Sequence, residues 1–264
     1  MRSSDLGGRV LVALPLALFA VLLVATGGWL FAAGVAVVGF VCLHEYFGLV
    51  DARRPVRLAG FIAMVALAVA AQADGPAAVL AVAWASLPLL FLLVALRPGL
   101  GAATDSISAT SLGIWWIAIA LAHAIMLRDL PHGGGIVIDV LVGTFAMDTG
   151  AYFGGRSLGT KPLAPRISPR KTVEGLAVGS VAAVAAVFVA GLYQDWLGGW
   201  QALAIGVLIA VSAPLGDLFE SLLKRDAGAK DTARTLGPHG GMLDRIDGVL
   251  FSAVVVYWFW SLVG

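Results

Sequence analysis

Nine apolar runs, at 8–26, 29–50, 58–73, 77–96, 110–127, 136–154, 174–193, 200–223 and 246–263, constrain this chain more than any other feature. A helix crossing a bilayer needs about 20 mostly apolar residues, within a range of about 17–25. Only the run at 58–73 falls short of that range. In lipid every backbone N–H and C=O must be satisfied within the segment, which a helix does by itself. Hydrophobic residues make up 60% of the chain and charged residues 12%, so too little polar surface remains for a water-facing globule. That balance excludes a disordered chain, a disulfide-rich secreted domain and a nucleic-acid binder. Cys42 is the only cysteine, which rules out an intramolecular disulfide and a cysteine-based zinc site. The first run follows Arg2 and Arg9 like a secretory leader, but it is longer than a usual leader core and eight more runs follow. The expected fold is an all-α polytopic membrane protein with about nine transmembrane helices.

Charge placement tests that count. With the N-terminus in the cytoplasm and the C-terminus on the opposite side, every Lys and Arg except Arg128 falls on one face. Cytoplasmic loops collect Lys and Arg, so the alternation supports nine spans. Two regions follow: N-terminal transmembrane helices at 1–130, and a C-terminal region at 131–264 with long loops at 155–173 and 224–245.

Those two loops interleave ten basic residues with Gly, Pro, Ser and Thr. Topology alone needs fewer. A phosphate-rich cytoplasmic ligand suits them, because Lys and Arg neutralise phosphate and Gly-containing turns let backbone N–H groups approach it. Gly154 to Lys161 has the Gly-x4-Gly spacing of a Walker A loop, but it ends Thr160-Lys161 and follows a membrane helix instead of a strand. That reading fails. Ser168-Pro-Arg-Lys-Thr172 precedes the seventh run, where a helix N-terminus offers either an anion site or an ordinary cap on Ser168 or Thr172. Both readings stand at this level.

Carboxylates inside apolar runs are expensive, about 2.5–3.5 kcal/mol near the bilayer centre on insertion scales. Asp217 follows Pro214 and Gly216, and shares a helix face with Ser221 and Lys224. Asp244 and Asp247 open the ninth run on one face. Asp148, followed by Tyr152, is a second intramembrane acid. Acids beside a basic loop are what a Mg²⁺–polyphosphate complex requires: hard oxygen ligands for the metal, cations for the remaining charge. Neutralisation of the acids by Lys224, Arg225 and Arg245 is the competing explanation, and it does not account for Asp217 at its depth. His239, in a Gly-rich turn between basic residues and Asp244, fits a phosphate contact. Glu45 at the end of the second run reads as solvated, Asp139 as facing headgroups, and His123 as an interhelical contact.

The stretch Ser221-x2-Lys224-Arg225-x4-Lys230-Asp231-x-Ala233-x2-Leu236-Gly237-x-His239-Gly240-Gly241-Met242-x-Asp244-Arg245-Ile246-Asp247 resembles the signature of phosphatidate cytidylyltransferases. Asp148-x3-Tyr152, Lys161 and Ser168-Pro169-x-Lys171-Thr172-x-Glu174-Gly175 resemble that family's second motif. The resemblance is close over the C-terminal 120 residues or so and only general before them. It implies transfer of CMP from CTP to phosphatidic acid with Mg²⁺, giving CDP-diacylglycerol and pyrophosphate for phospholipid biosynthesis. It further implies a homodimer in a bacterial inner membrane, with the active site on the cytoplasmic face and a monovalent cation such as K⁺ as an optional second ion. By the same resemblance Asp217, Asp244 and Asp247 hold the metal, while Ser221, Lys224 and Arg225 complete the reacting shell. Lys161, Lys171, Lys230, Arg234 and Arg245 grip phosphates, with Asp148, Tyr152, Ser168, Thr172, Asp231 and His239 on the substrates.

A CTP-dependent lipid kinase or an archaeol-type cytidylyltransferase is the nearest alternative. CDP-alcohol phosphotransferases fail on spacing: Asp231-Thr-Ala-Arg234 is too short, and Gly241-x2-Asp244-x2-Asp247 does not match their pattern. An ion-coupled transporter would place its acids near the membrane midplane, whereas Asp217 and Asp148 approach one surface.

Overall fold

The computed structural model describes residues 18–97, 101–233 and 240–264. After a helical stretch at 18–26 come α1 (Gly28–Leu49), α2 (Arg57–Ala73), α3 (Pro76–Ala95), α4 (Ala103–Asp129), α5 (Gly133–Leu158), α6 (Val173–Gly191), α7 (Gly199–Asp226) and α8 (Leu243–Val263). Among the described residues seven of these are long and apolar enough to cross a membrane, and α2 is a shorter apolar helix. The chain is an integral membrane protein, and its eight described helices correspond to the last eight apolar runs. Most of the run at 8–26 lies outside the described residues.

The helix ends sort into two sets. At one end Arg53 bonds Asp226, the Val56 N–H bonds Thr110, and Arg97 reaches the Arg54 carbonyl. At the other end Arg128 donates to the Val24 carbonyl, Gln72 to Asp129, and Trp260 to the Pro131 carbonyl. The helices therefore run alternately up and down, as the charge pattern requires. Among the described Lys and Arg residues Arg128 stands alone at its end, where it donates to the Val24 carbonyl near the close of the 18–26 stretch.

Two details depart from the sequence reading. α4 begins at Ala103, seven residues before the apolar run, because its first turn is polar; a π turn at Ile114–Ala118 interrupts it. The loop expected at 155–173 is largely ordered: α5 continues to Leu158, and β1 (Pro162–Ala164) pairs antiparallel with β2 (Ser168–Thr172). Glu174 holds this hairpin's start, accepting from the Thr160 hydroxyl at 2.5 Å and the Lys161 N–H at 3.2 Å.

Contact between helices in lipid relies on close backbone approach at small residues. α5 carries Gly150-x3-Gly154 and α6 carries Gly175-x3-Gly179, and the two pairs face each other. A Cβ on Gly150 would stand 3.0 Å from the Gly179 Cα, and one on Gly175 would stand 2.8 Å from the Ala151 carbonyl oxygen. α7 and α8 meet as closely where Gly216 lies against the Asp247–Gly248 peptide, and lower down Ser212 and Ser252 share a hydrogen bond of 2.9 Å. These contacts gather α5, α6, α7 and α8 around one end of the bundle.

Candidate active site

The close approach of α7 and α8 at Gly216 has a direct chemical result. It brings Asp217 and Glu220 of α7 beside Asp247 of α8, with one oxygen from each within 4.8 Å of the others. Glu220 is 1% exposed and Asp247 7%, while Asp217 is open toward a cleft. One Glu220 oxygen, Oε1, is buried and receives no hydrogen bond from a described residue. Asp247 takes the Gly248 N–H at 2.8 Å.

Lys224, one turn further along α7, bridges Glu220 Oε2 at 2.6 Å and Asp244 Oδ1 at 2.7 Å. The other Asp244 oxygen accepts from the Thr232 hydroxyl at 2.9 Å and the Gly241 N–H at 2.7 Å. Asp244 is thus held at the base of the loop, and the third carboxylate of the cluster is Glu220, which the sequence reading did not single out. Its signal was present: Glu220 lies three residues after Asp217 and four before Lys224, on one face of a helix.

Beside the cluster a cleft of about 550 Å³ opens between α5, α6, α7 and the hairpin. Asp148, Tyr152, Ser168, Lys171, Thr172 and Asp217 line it. Lys171, on β2, forms an ion pair with Asp217 and so connects the cleft to the acidic cluster. Asp148 has Lys171 and Arg245 as its electrostatic neighbours of opposite sign. Directly below, between α6 and α7, Ser180, Val184, Phe188, Leu203 and Val207 line an apolar groove of about 510 Å³. Leu176 and Pro214 line the cleft, and Ser180 and Ala210, one turn deeper on the same two helices, line the groove.

The remaining residues singled out in the sequence are distributed as follows. Thr172 caps α6, its hydroxyl accepting from the Gly175 N–H at 3.1 Å, as the helix-initiation reading expects. Ser221 is buried on α7. Arg225 turns away from the cluster and donates to the Ile167 and Ala229 carbonyls, joining the hairpin tip to the end of α7. Lys161, Lys230 and Asp231 are exposed at the same end of the bundle. Arg234 and His239 lie outside the described residues. Two readings need correction. Glu45 is 2% exposed and accepts the Met242 and Leu243 N–H groups, each at 2.8 Å. Asp139 is fully buried and accepts from Gln194 at 2.9 Å, so it does not face headgroups. His123 does contact another helix, its ring edge-on to Tyr257 at 5.2 Å.

The donor set suits a hard divalent cation. Three close carboxylates with an unpaired buried oxygen offer the ligands that Mg²⁺ takes. Four carboxylates, Asp217, Glu220, Asp244 and Asp247, face two lysines, Lys171 and Lys224. Among these described side chains the carboxylates outnumber the lysines, and a cation would offset the difference.

Fold and site together define a class: a polytopic helical membrane protein with a carboxylate cluster and a lysine-bearing cleft at one membrane surface. The chain belongs to the Cytidylyltransferase family, whose model matches residues 7–263. It is similar to a phosphatidate cytidylyltransferase of Brucella suis, 38% identical over 143 residues, covering 54% of this chain and 53% of that protein. It is also similar to a phosphatidate cytidylyltransferase of Mycobacterium bovis, 36% identical over 160 residues, covering 61% and 52% respectively. A third relative, "Uncharacterized protein YnbB" of Escherichia coli, is 38% identical over 159 residues, covering 58% and 53%. The chain spans about half the length of these curated relatives.

Proposed function

We propose that this protein transfers CMP from CTP to phosphatidic acid, releasing pyrophosphate and leaving CDP-diacylglycerol in the membrane. One observation carries the reading: the acidic cluster adjoins the Lys171 cleft, and an apolar groove lies one helical turn away on α6 and α7. A polar ligand with metal-associated phosphates and a ligand with acyl chains would meet there.

The reaction asks little of the protein in proton transfer. An ionised phosphate oxygen of the lipid attacks the α-phosphorus of CTP, and the bond to the β-phosphate oxygen breaks as pyrophosphate leaves. The residues act by positioning and by neutralising charge. Asp217, Glu220 and Asp247 would hold Mg²⁺, with Asp244 behind them; when bound, the ion supplies positive charge at the phosphates. Lys171 neutralises phosphate once released from Asp217, and Lys224 keeps Glu220 and Asp244 apart and aimed. Ser221 supports the cluster from the α7 face. Arg225 contributes by fixing the hairpin that carries Ser168 and Lys171. Asp148, Tyr152 and Thr172 shape the cleft, while Lys161, Lys230 and Arg245, exposed at the same end, would receive the phosphates of CTP with Asp231 beside them; Arg234 and His239 are assigned to the substrates on their sequence motif alone. Residues 131–264 carry the chemistry on the support of residues 1–130. The Lys- and Arg-rich end faces the cytoplasm, which in a bacterium is the inner face of the plasma membrane.

A CTP-dependent lipid kinase would use the same cleft and release CDP. Purified protein given CTP, Mg²⁺ and phosphatidic acid is expected to release pyrophosphate in proportion to lipid consumed. Release of CDP would overturn the transferase reading.

A further inference from the structure

Glu45 belongs to α1, 197 residues in sequence from the segment it binds. Its carboxylate is almost fully enclosed, and an enclosed carboxylate survives only when donors replace its water. Donors to it include two backbone N–H groups at the start of α8, those of Met242 and Leu243. Helix N-termini leave such groups unpaired, and they carry a positive partial charge that favours a carboxylate.

The order of donation is informative. The Gly241 N–H points to Asp244, and the next two, Met242 and Leu243, point to the two oxygens of Glu45. Two carboxylates thus divide three consecutive N–H groups, one from the side of the cluster and one from the N-terminal helices. Gly241 stands between them. A Cβ there would lie 2.5 Å from both Glu45 Oε2 and the Thr232 hydroxyl, so a side chain would press on Glu45 and on the Thr232 that bonds Asp244.

We propose that Glu45 is a positioning residue for the site: by fixing the first turn of α8 it sets the direction in which Asp244 and Asp247 present their oxygens. This role rests on the metal reading given above, and the test separates the two. Glu45→Gln replaces one acceptor with an amide N–H facing another N–H, so one of the two bonds is lost. Two readouts are needed on the full-length protein: backbone hydrogen exchange at 241–245, and Mn²⁺ affinity measured by electron paramagnetic resonance without nucleotide. In Glu45→Gln exchange there should rise at least tenfold and Mn²⁺ affinity fall about tenfold, while Asp51→Asn, at the same end of the bundle, changes neither. Gly241→Ala, which disturbs the same turn from the other side, should repeat both effects and serves if Glu45→Gln does not fold. Wild-type exchange and wild-type affinity in either variant would overturn the proposal. Wild-type protein that binds no Mn²⁺ would overturn the metal reading itself and, with it, any role for Glu45 in metal affinity.

Discussion

Lys224 holds two carboxylates that would otherwise repel each other. Removing one partner of a buried ion pair costs about 3–5 kcal/mol. Lys224→Met should therefore lose stability on that order in denaturant titrations in detergent. Lys224→Met combined with Glu220→Gln should recover part of the loss, since it removes one of the two stranded charges. Asp217 is more open and its ion pair contributes less to stability, so Asp217→Asn should insert and fold normally while losing CMP transfer by at least a hundredfold. Near-normal turnover would remove Asp217 from the metal site. Several of these residues were legible beforehand because a carboxylate in an apolar run is conspicuous. Glu220 was harder to see: next to Lys224 it reads as an ordinary i, i+4 helix pair, and nothing local says that α8 brings Asp247 against it. Glu45 was misjudged for the same reason, since its partners lie on a helix far away in sequence.

At the scale of elements, glycine placement decides which helices can meet. A Cβ on Gly216 would overlap the Asp247 carbonyl, so Gly216→Ala should push α7 from α8. That separation should cut transfer by more than tenfold while changing stability by only about 1–3 kcal/mol, the usual cost of overpacking. Hydropathy located the helices, because the lipid imposes their length. It did not locate the hairpin at 162–172, which depends on Glu174 gripping residues 160 and 161 and on Arg225 reaching Ile167. Lys171 owes its place beside Asp217 to that hairpin. On the proposed reaction its ion pair with Asp217 opens as CTP and metal bind, so Lys171→Ala should raise the KM for CTP more than it lowers kcat.

For the whole molecule, the two-ended sorting of helix termini makes a topological prediction. In a Cys42→Ser background, Asp195→Cys should react with a membrane-impermeant maleimide on intact cells, and Arg166→Cys only after lysis. The reverse pattern would invert the orientation. The same sorting concentrates a sparse charge: most of the described Lys and Arg residues and the carboxylate cluster gather at one end, and apolar helices hold that end in the membrane. The central claim is that this end moves the α-phosphate of CTP onto a lipid phosphate. The most direct measurement follows α-labelled and γ-labelled CTP in parallel, with phosphatidic acid vesicles and Mg²⁺. The account predicts α-label in the lipid fraction and γ-label in pyrophosphate, with both transfers stopped by EDTA. γ-Label in the lipid, with α-label left in CDP, would contradict it.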